Sequence, residues 1–259
     1  MAFAFLRRML AHPLTAGLCV DDPANTELRK QIIQSKPFLR AIYDEWYTML
    51  AGAVPGGEGR VLELGSGAGH CANFIPGLIT SEVFPCTNAQ IVADARQMPF
   101  ATGSLRAIVM TDVLHHIPDV RMFFRESSRC LRAGGRIVMI EPWVTSWSRI
   151  IYGKFHHEPI DPGTPNWEFP STGPLSGANS ALPWILFVRD RKKFAAEFPE
   201  FAIEAIRPFL PFRYLVSGGV SLRSLTPSFS RGFWSAVERL AQPQMHRLAM
   251  FAFIELRKR

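Results

Sequence analysis

The sequence predicts an α/β fold in which a parallel sheet carries helices on both faces. Between residues 60 and 140, short apolar runs with the length of buried strands alternate with segments of helical periodicity. The five strands predicted there each end at or next to an acidic residue: Glu63, Glu82, Asp94, Asp112 and Glu141. Doubly wound sheets bind ligands at the carboxyl ends of their strands, so this acidic edge is the predicted functional site.

Each element follows from its own pattern. Residues 25–51 have helical spacing, and Pro37 divides them into two helices because proline lacks an amide hydrogen. The predicted strands cover 60–64, 78–84, 89–93, 107–111, 136–140, 201–206 and 250–256. The predicted helices beyond the N-terminal pair cover 68–75, 122–131 and 233–240, and Gly134 is expected to cap the second of them in a left-handed conformation.

Composition limits the function classes. The formal charge of +7 comes from 29 Lys and Arg against 22 Asp and Glu, but the basic residues are scattered, so no nucleic-acid partner is expected. The four cysteines occur singly, which favours reduced thiols and a cytoplasmic location over disulfides or a zinc site. No apolar run is long enough for a membrane span, although residues 1–12 could contact a membrane surface or fold over the protein.

The most informative motif is the loop Glu63-Leu-Gly-Ser-Gly-Ala-Gly69, which follows the first strand. Glycines let the backbone turn tightly and let a ligand approach closely. A dinucleotide-binding loop would have a further glycine where His70 stands. The carboxylate of Glu63 suits a cationic amino group and would repel a pyrophosphate.

Two further acidic residues follow the next strands. Glu82 is placed to accept hydrogen bonds from ribose hydroxyls, as acidic residues at this position do. Asp94, followed by Ala95, is placed to meet the edge of an adenine ring.

At these residues the sequence resembles the class I methyltransferases, specifically their type 11 group. The resemblance covers about residues 58–142 and rests on Val61-Leu-Glu-Leu-Gly-Ser-Gly-Ala-Gly69, Val92-Ala-Asp94 with Met98-Pro-Phe100, Asp112-Val-Leu-His-His116, and Glu126 with Arg129-Cys-Leu-Arg-Ala-Gly-Gly135. It implies a Rossmann-like, seven-stranded sheet whose last strand is antiparallel, with an irregular insertion after strand five. It also implies S-adenosyl-L-methionine as the cofactor.

The resemblance also implies roles for individual residues. Glu63 and Gly65 would hold the methionine end of the cofactor, Glu82 its ribose and Asp94 its adenine amine. The complete predicted cofactor set is Glu63, Gly65, Ser66, Gly67, Gly69, Glu82, Val83, Asp94, Ala95, Thr111, Asp112 and Leu114. The sequence departs from the group at Glu82, where aspartate is more common, and in the short segment before it.

A general base is needed only if the methyl acceptor is protonated at the working pH, and histidine is the side chain to seek. The candidates are His115 and His116 after strand four, and His156 and His157 after strand five. Adjacent histidines point in different directions, so the triplet 156–158 alone predicts no metal site. Further candidates for the acceptor pocket are Asp161, Trp167, Asn179 and the aromatic residues Trp143, Trp147, Tyr152, Phe155 and Trp184, although core packing explains aromatic residues equally well.

Together these patterns predict an N-terminal helical segment, 1–57, that caps the cofactor site, and a methyltransferase domain, 58–259. Within that domain, 143–200 and 208–245 are expected to form the acceptor pocket and its lid. An apolar pocket favours a small apolar or aromatic acceptor methylated at oxygen or carbon. The alternatives are a nicotinamide-dependent oxidoreductase, an inactive cofactor-binding module and an RNA methyltransferase. Nothing in the sequence sets the oligomeric state.

Overall fold

The structure is a computed structural model, and it describes residues 10–15, 24–67, 69–156, 158–171, 173 and 177–259. Two helices precede the sheet: α1, Ala24–Ser35, and α2, Pro37–Ala53. The predicted break at Pro37 is confirmed, because Lys36 is extended and Pro37 opens α2. Proline suits the first helical position, where its missing amide hydrogen would have had no partner in the helix.

The sheet has the predicted seven strands, and the predicted fold class is confirmed. The strands are β1, Arg60–Leu64; β2, Leu78–Glu82; β3, Ile91–Val92; β4, Leu105–Thr111; β5, Leu131–Pro142; β6, Phe201–Phe209; and β7, Phe251–Lys258. Their order is β3-β2-β1-β4-β5-β7-β6. β7 runs antiparallel to both of its neighbours, and β1 to β5 pair in parallel.

The strand order reverses direction between β1 and β4. From β1 the chain moves outward to β2 and β3, and then returns to the other side of β1 as β4. The crossovers on the two sides leave a crevice above the carboxyl ends of β1 and β4. The glycine loop and Asp112 lie at these two ends.

The remaining helices flank the sheet or follow β5. They are α3, Val120–Cys130; α4, Ser146–Phe155; α5, Leu182–Trp184; α6, Arg191–Glu197; α7, Arg213–Ser217; α8, Arg231–Leu240; and α9, Met245–Leu248, with a π-helical stretch at Ile185–Arg189. Asp119 caps α3 by accepting a hydrogen bond from the amide of Met122. Thr145 and Ser148 form a capping box at the start of α4.

Two local predictions are wrong. The helix predicted at 68–75 is only a short 3-10 turn, Cys71–Asn73, in the described part of that segment, and residue 68 lies outside it. The amide of Gly69 bonds back to Ser66, so the loop closes on itself before a helix can begin. The glycine cap is also wrong: α3 ends through an extended Leu131, and Gly134, at φ +73°, lies within β5.

Apolar side chains cover both faces of the sheet. Alternation along β1 sends Leu62 to one face, where it packs with α3, and Val61 to the other, where it packs with α2. Trp46 of α2 is completely buried and stacks on Tyr214, with ring centroids 5.7 Å apart. The N-terminal helices are therefore fixed on the face that also carries the loop after α7.

Among the described helices, none combines the length and the apolar character that crossing a bilayer requires. Residues 1–9 lie outside the described part of the chain, so most of the segment expected to contact a membrane does too. Leu10 accepts a hydrogen bond from the amide of Arg223, and Ala11 pairs with Leu222.

Candidate active site

The loop after β1 requires its glycines. Gly65 has φ +64° and Gly67 has φ +45°, in the left-handed region that favours glycine. A Cβ atom at Gly65 would lie 2.4 Å from Val113 Cγ2, and one at Gly69 would lie 2.6 Å from the carbonyl oxygen of Ser66. The loop therefore combines a strained path with a close approach to the turn after β4.

Hydrogen bonds lock this loop to β2. The amide of Ser66 donates to the carbonyl of Ser81 at 2.9 Å, and the amide of Ser81 donates to Ser66 Oγ at 3.0 Å. Ser81 Oγ in turn donates to the carbonyl of Glu63 at 2.7 Å. These three hydrogen bonds fix the carboxyl ends of β1 and β2 relative to each other.

Glu82 is fixed at the end of β2. Its Oε1 accepts a hydrogen bond from the amide of Gly67 at 2.7 Å, and its Oε2 accepts one from the amide of Val83 at 3.2 Å. Burial raises the pKa of Glu82, and the two backbone amides act against that rise. The amides of Gly67 and Val83 thus hold the carboxylate of Glu82 in place, and its position suits a ligand that bears hydroxyl groups.

Glu63 is buried at the end of β1, with 3% of its surface exposed. Burial, reinforced by the negative charge of Glu82, raises its pKa to about 7, while a hydrogen bond with Ser66 acts in the opposite sense. A buried carboxylate loses hydration that only a cation or a set of donors can replace. This position therefore favours a positively charged ligand group.

Asp94 follows β3 and already has a partner. Arg96 forms a forked ion pair with it, with Nε 3.0 Å from Oδ1 and Nη2 2.7 Å from Oδ2. The hydrogen bonds from Arg96 lower the pKa of Asp94 against the effect of its partial burial. An adenine amino group at this point would share the carboxylate with Arg96.

These residues surround a cavity of about 930 Å³ at the crevice. The volume lies in the range of about 300–1,000 Å³ that is usual for small-molecule sites. It brings together these members of the predicted cofactor set: Glu63, Gly65, Ser66, Gly67, Gly69, Glu82, Val83, Asp94, Ala95, Thr111 and Asp112. Leu114 is the exception, because it is completely buried in the core and Val113 lines the cavity instead.

Two buried side-chain oxygens lie at the carboxyl end of β4. Among the described residues, Thr111 Oγ1 and Asp112 Oδ1 are buried without a hydrogen-bond partner, and both residues line the cavity. Asp112 also has φ +56°, a conformation that costs free energy for a residue with a side chain. Burial raises the pKa of Asp112 to about 7, with nearby His115 acting against it. Unpaired buried polar atoms and a strained backbone in one place are typical of functional sites.

A second cavity, of about 120 Å³, adjoins the first. Four residues line both cavities: Arg29, Asp112, His116 and Val220. The apolar part of the second cavity consists of Ile151, Tyr152, Phe155, Tyr214, Leu215, Met250 and Phe251. Asp112 and His116 therefore stand at the boundary between a polar site and an apolar one.

The polar end of the second cavity is built around His115. Its Nδ1 lies 2.7 Å from Glu141 Oε2, and its Nε2 lies 3.2 Å from Glu158 Oε2. Glu141 Oε1 accepts hydrogen bonds from the amides of Val113 and Leu114, which fixes the turn after β4. Burial alone would lower the pKa of His115, but its two carboxylate partners outweigh burial and raise the pKa to about 10.

The other predicted histidines lie around the same carboxylate. His116 Nε2 is 3.4 Å from Glu158 Oε1, and His156 Nδ1 is 3.7 Å from Glu158 Oε2. His115, His116 and His156 all line the second cavity. His157 lies outside the described residues.

Three further candidates for the acceptor pocket line neither cavity. Trp167 is completely buried in the core and donates from Nε1 to Asp190. Asp161 and Asn179 bond to each other and hold the loop after α4. Of the aromatic candidates, Tyr152 and Phe155 line the second cavity, whereas Trp143, Trp147 and Trp184 line neither.

The sequence alone did not show several contributions to these cavities. Arg29, Tyr43 and Tyr47 come from the N-terminal helices, and Tyr214 and Val220 come from the region after β6. The only available signal was the helical periodicity of 25–51, which predicts a buried face but not what that face covers.

Residues 62–139 match the family of type 11 methyltransferases, described as a methyltransferase domain. None of the curated proteins compared with the chain matches it.

Solved structures are similar to this chain at low sequence identity. An S-adenosylmethionine-dependent methyltransferase from Thermotoga maritima is 13% identical, with a TM-score of 0.52 over 90% of this chain and 99% of that one. The geranyl diphosphate C-methyltransferase of Streptomyces coelicolor A3(2), crystallised with Mg²⁺, geranyl diphosphate and S-adenosylhomocysteine, is 15% identical. Its TM-score is 0.47 over 93% of this chain and 86% of that one.

Proposed function

We propose that the chain, whose residues 62–139 match the family of type 11 methyltransferases, transfers a methyl group from S-adenosylmethionine to a small, largely apolar acceptor. The larger cavity is proposed as the cofactor site and the smaller one as the acceptor site. The observation that carries this proposal is the boundary between them, where Asp112 and His116 face both cavities.

The larger cavity has the right groups for this cofactor. The buried carboxylate of Glu63 would hold the ammonium of the methionine moiety, and Glu82, fixed by the amides of Gly67 and Val83, would hold the ribose hydroxyls. Gly65 and Gly67 leave room for close approach. When bound, S-adenosylmethionine supplies a methyl group already activated by its positively charged sulfur.

The protein then has mainly to align the acceptor with that methyl group. Asp112 and His116 would hold the acceptor's nucleophilic atom at the boundary of the two cavities, where the bound cofactor would supply the methyl group. The proton of an acceptor hydroxyl or acidic C–H group goes to Asp112, whose Oδ1 has no other partner among the described residues. A pKa of about 7 is suited to proton acceptance near neutral pH. His116 is the second candidate, since it lines both cavities.

The lining of the smaller cavity limits the acceptor. Tyr152, Phe155 and Phe251 provide aromatic surface, while Asp112, His115 and Glu158 provide a polar end. This pairing favours an apolar or aromatic molecule with one hydroxyl or acidic carbon over a sugar, and we propose methylation at oxygen or carbon. A nicotinamide cofactor is disfavoured, because Glu63 and Glu82 would face its pyrophosphate.

The test is methyl transfer from isotopically labelled S-adenosylmethionine to a panel of phenols, 1,3-dicarbonyl compounds and long-chain alcohols. We expect Asp112→Asn to lower kcat at least ~100-fold, within the usual range for loss of a general base, while binding of S-adenosylhomocysteine changes much less. Glu204→Gln, which changes an exposed carboxylate paired with Arg257, is the control and should retain full activity. Equal activity of Asp112→Asn and wild type would remove Asp112 from the reaction.

A further inference from the structure

Three side chains converge at the polar end of the smaller cavity. His115 and His116 come from the turn after β4, and Glu158 follows α4, more than forty residues further along the chain. One donor atom from each residue lies within 4.8 Å of the other two. The Nε2 atoms of the two histidines lie 3.2 Å and 3.4 Å from the carboxylate oxygens of Glu158.

Each histidine has a partner on its other ring nitrogen. His115 Nδ1 is 2.7 Å from Glu141 Oε2, and His116 Nδ1 is 3.3 Å from the carbonyl oxygen of Gly177. An acceptor at Nδ1 keeps a ring proton there, so that Nε2 is the nitrogen that faces Glu158 and can bind an ion once its own proton is released. Histidine ligands in metal sites are oriented by a carboxylate or a backbone carbonyl in this way.

From this geometry we propose that His115, His116 and Glu158 bind a divalent transition-metal ion, with Zn²⁺ as the first candidate. Two imidazole nitrogens and one carboxylate form a ligand set that suits Zn²⁺ and its neighbours better than Mg²⁺ or Ca²⁺, which prefer oxygen alone. Glu141 orients His115 without binding the ion. His156, whose Nδ1 lies 3.7 Å from Glu158 Oε2, borders the site.

The charge of the region supports a cation. Glu141 is completely buried and contacts one ring nitrogen of His115, and Glu158, which is mostly buried, contacts the other. A cation bound between His115 Nε2 and Glu158 would replace the ring proton that now lies there, and the carboxylates of Glu141 and Glu158 would balance its charge. The ligand atoms need move only slightly, because coordination replaces the present hydrogen bonds between the histidines and Glu158.

Three protein ligands leave a coordination position open, as in catalytic rather than structural zinc sites. All three residues line the smaller cavity, so the open position faces the bound acceptor. An oxygen atom of the acceptor would fill it and would be oriented towards the boundary at Asp112. This last consequence rests on the proposed function, whereas metal binding itself does not.

The test uses tag-free protein stripped of metal with a chelator and titrated with Zn²⁺ by calorimetry. We expect one ion per chain, and we expect X-ray absorption to show two imidazole nitrogens at about 2.0–2.1 Å. His116→Ala and Glu158→Gln should each weaken Zn²⁺ binding at least 10-fold, and Glu141→Gln should weaken it about 10- to 100-fold through the orientation of His115. The matched control is His246→Ala, which removes an exposed histidine far along the chain and should leave the affinity unchanged.

The absence of stoichiometric Zn²⁺ binding would overturn the site, and so would equal affinity in wild type and His116→Ala. The X-ray absorption spectrum of the wild type decides the ligand set even if a variant fails to fold, and a spectrum without imidazole would also overturn it. Titration of the same protein with S-adenosylhomocysteine keeps the two proposals separate. Loss of zinc binding with retained S-adenosylhomocysteine binding refutes only the metal site, and the reverse result refutes only the cofactor site.

Discussion

The buried carboxylate of Glu63 lowers the free energy of unfolding of the ligand-free protein. The variant Glu63→Gln tests this effect directly. The pKa of Glu63 is about 7 in the folded state and near 4.5 when exposed, because burial disfavours the charged form. Between these two pH values the unfolded chain binds fewer protons than the folded one, so stability falls as pH rises. The difference between the two pKa values corresponds to about 3 kcal/mol at neutral pH and above.

Gln has nearly the same shape as Glu but does not ionise. We therefore expect Glu63→Gln to be as stable as wild type at pH 4.5 and more stable by about 1–3 kcal/mol at pH 8. The gain can be smaller than the full difference of about 3 kcal/mol, because the protein relaxes around the charged carboxylate. The assay is urea unfolding across this pH range on protein freed of bound cofactor. Glu58→Gln, which changes an exposed glutamate five residues away, is the control and should show no pH-dependent gain.

Glu63→Gln should also lose part of the stabilisation that bound S-adenosylmethionine gives to the folded protein. If Glu63 holds the ammonium group of the cofactor, saturating S-adenosylmethionine raises the stability of wild type more than that of the variant. The account of Glu63 is refuted if Glu63→Gln is less stable than wild type at pH 8 without ligand, or if the difference is independent of pH.

Three other predictions follow from the site. Gly65→Ala places a Cβ atom 2.4 Å from Val113 Cγ2 at φ +64°, so we expect calorimetry to show at least a ~10-fold lower affinity for S-adenosylhomocysteine. The control is Gly232→Ala, which lies in open space on α8. It should bind S-adenosylhomocysteine normally and gain up to about 1 kcal/mol in stability. Phe155→Ala removes aromatic surface from the smaller cavity, so steady-state kinetics should show a higher KM for the acceptor, with the affinity for S-adenosylhomocysteine unchanged. Weaker binding of both the acceptor and S-adenosylhomocysteine would contradict the division into two cavities. Lys36 donates from Nζ to the carbonyls of Gly219 and Leu222, so Lys36→Met should speed hydrogen exchange at 219–222 beside the acceptor cavity, and unchanged exchange there would show that these bonds do not hold the loop.

Much of the fold was predictable because its strongest signals are local. The strands of a parallel sheet are buried on both faces, so β1 and β4 read as short, continuous apolar runs bounded by polar residues. The helix predicted at 68–75 failed because hydrogen bonds between Gly69 and Ser66 close the loop, and apolar spacing does not contain that information. The cap at Gly134 failed because β5 begins at Leu131, five residues before the apolar run that predicted it.

The cofactor cavity was more predictable than the acceptor cavity. Most of its residues lie at strand ends, where the order of the elements alone brings them together. The cluster around Glu158 depends on a contact between the turn after β4 and the chain after α4, and no local pattern encodes it. Leu114 was misassigned for a simpler reason: the turn Leu114–His116 points it into the core and leaves Val113 facing the cavity.

Calorimetric titration with S-adenosylmethionine and S-adenosylhomocysteine tests the central claim most directly, with NAD as the comparison ligand and Glu82→Ala as the variant. The account predicts saturable 1:1 binding of the first two ligands, no binding of NAD, and an affinity that falls at least ~10-fold in Glu82→Ala, since a carboxylate fixed by two backbone amides is lost. Binding of NAD in preference to both methyl-donor ligands, or failure of both to bind the folded wild-type protein, would contradict it.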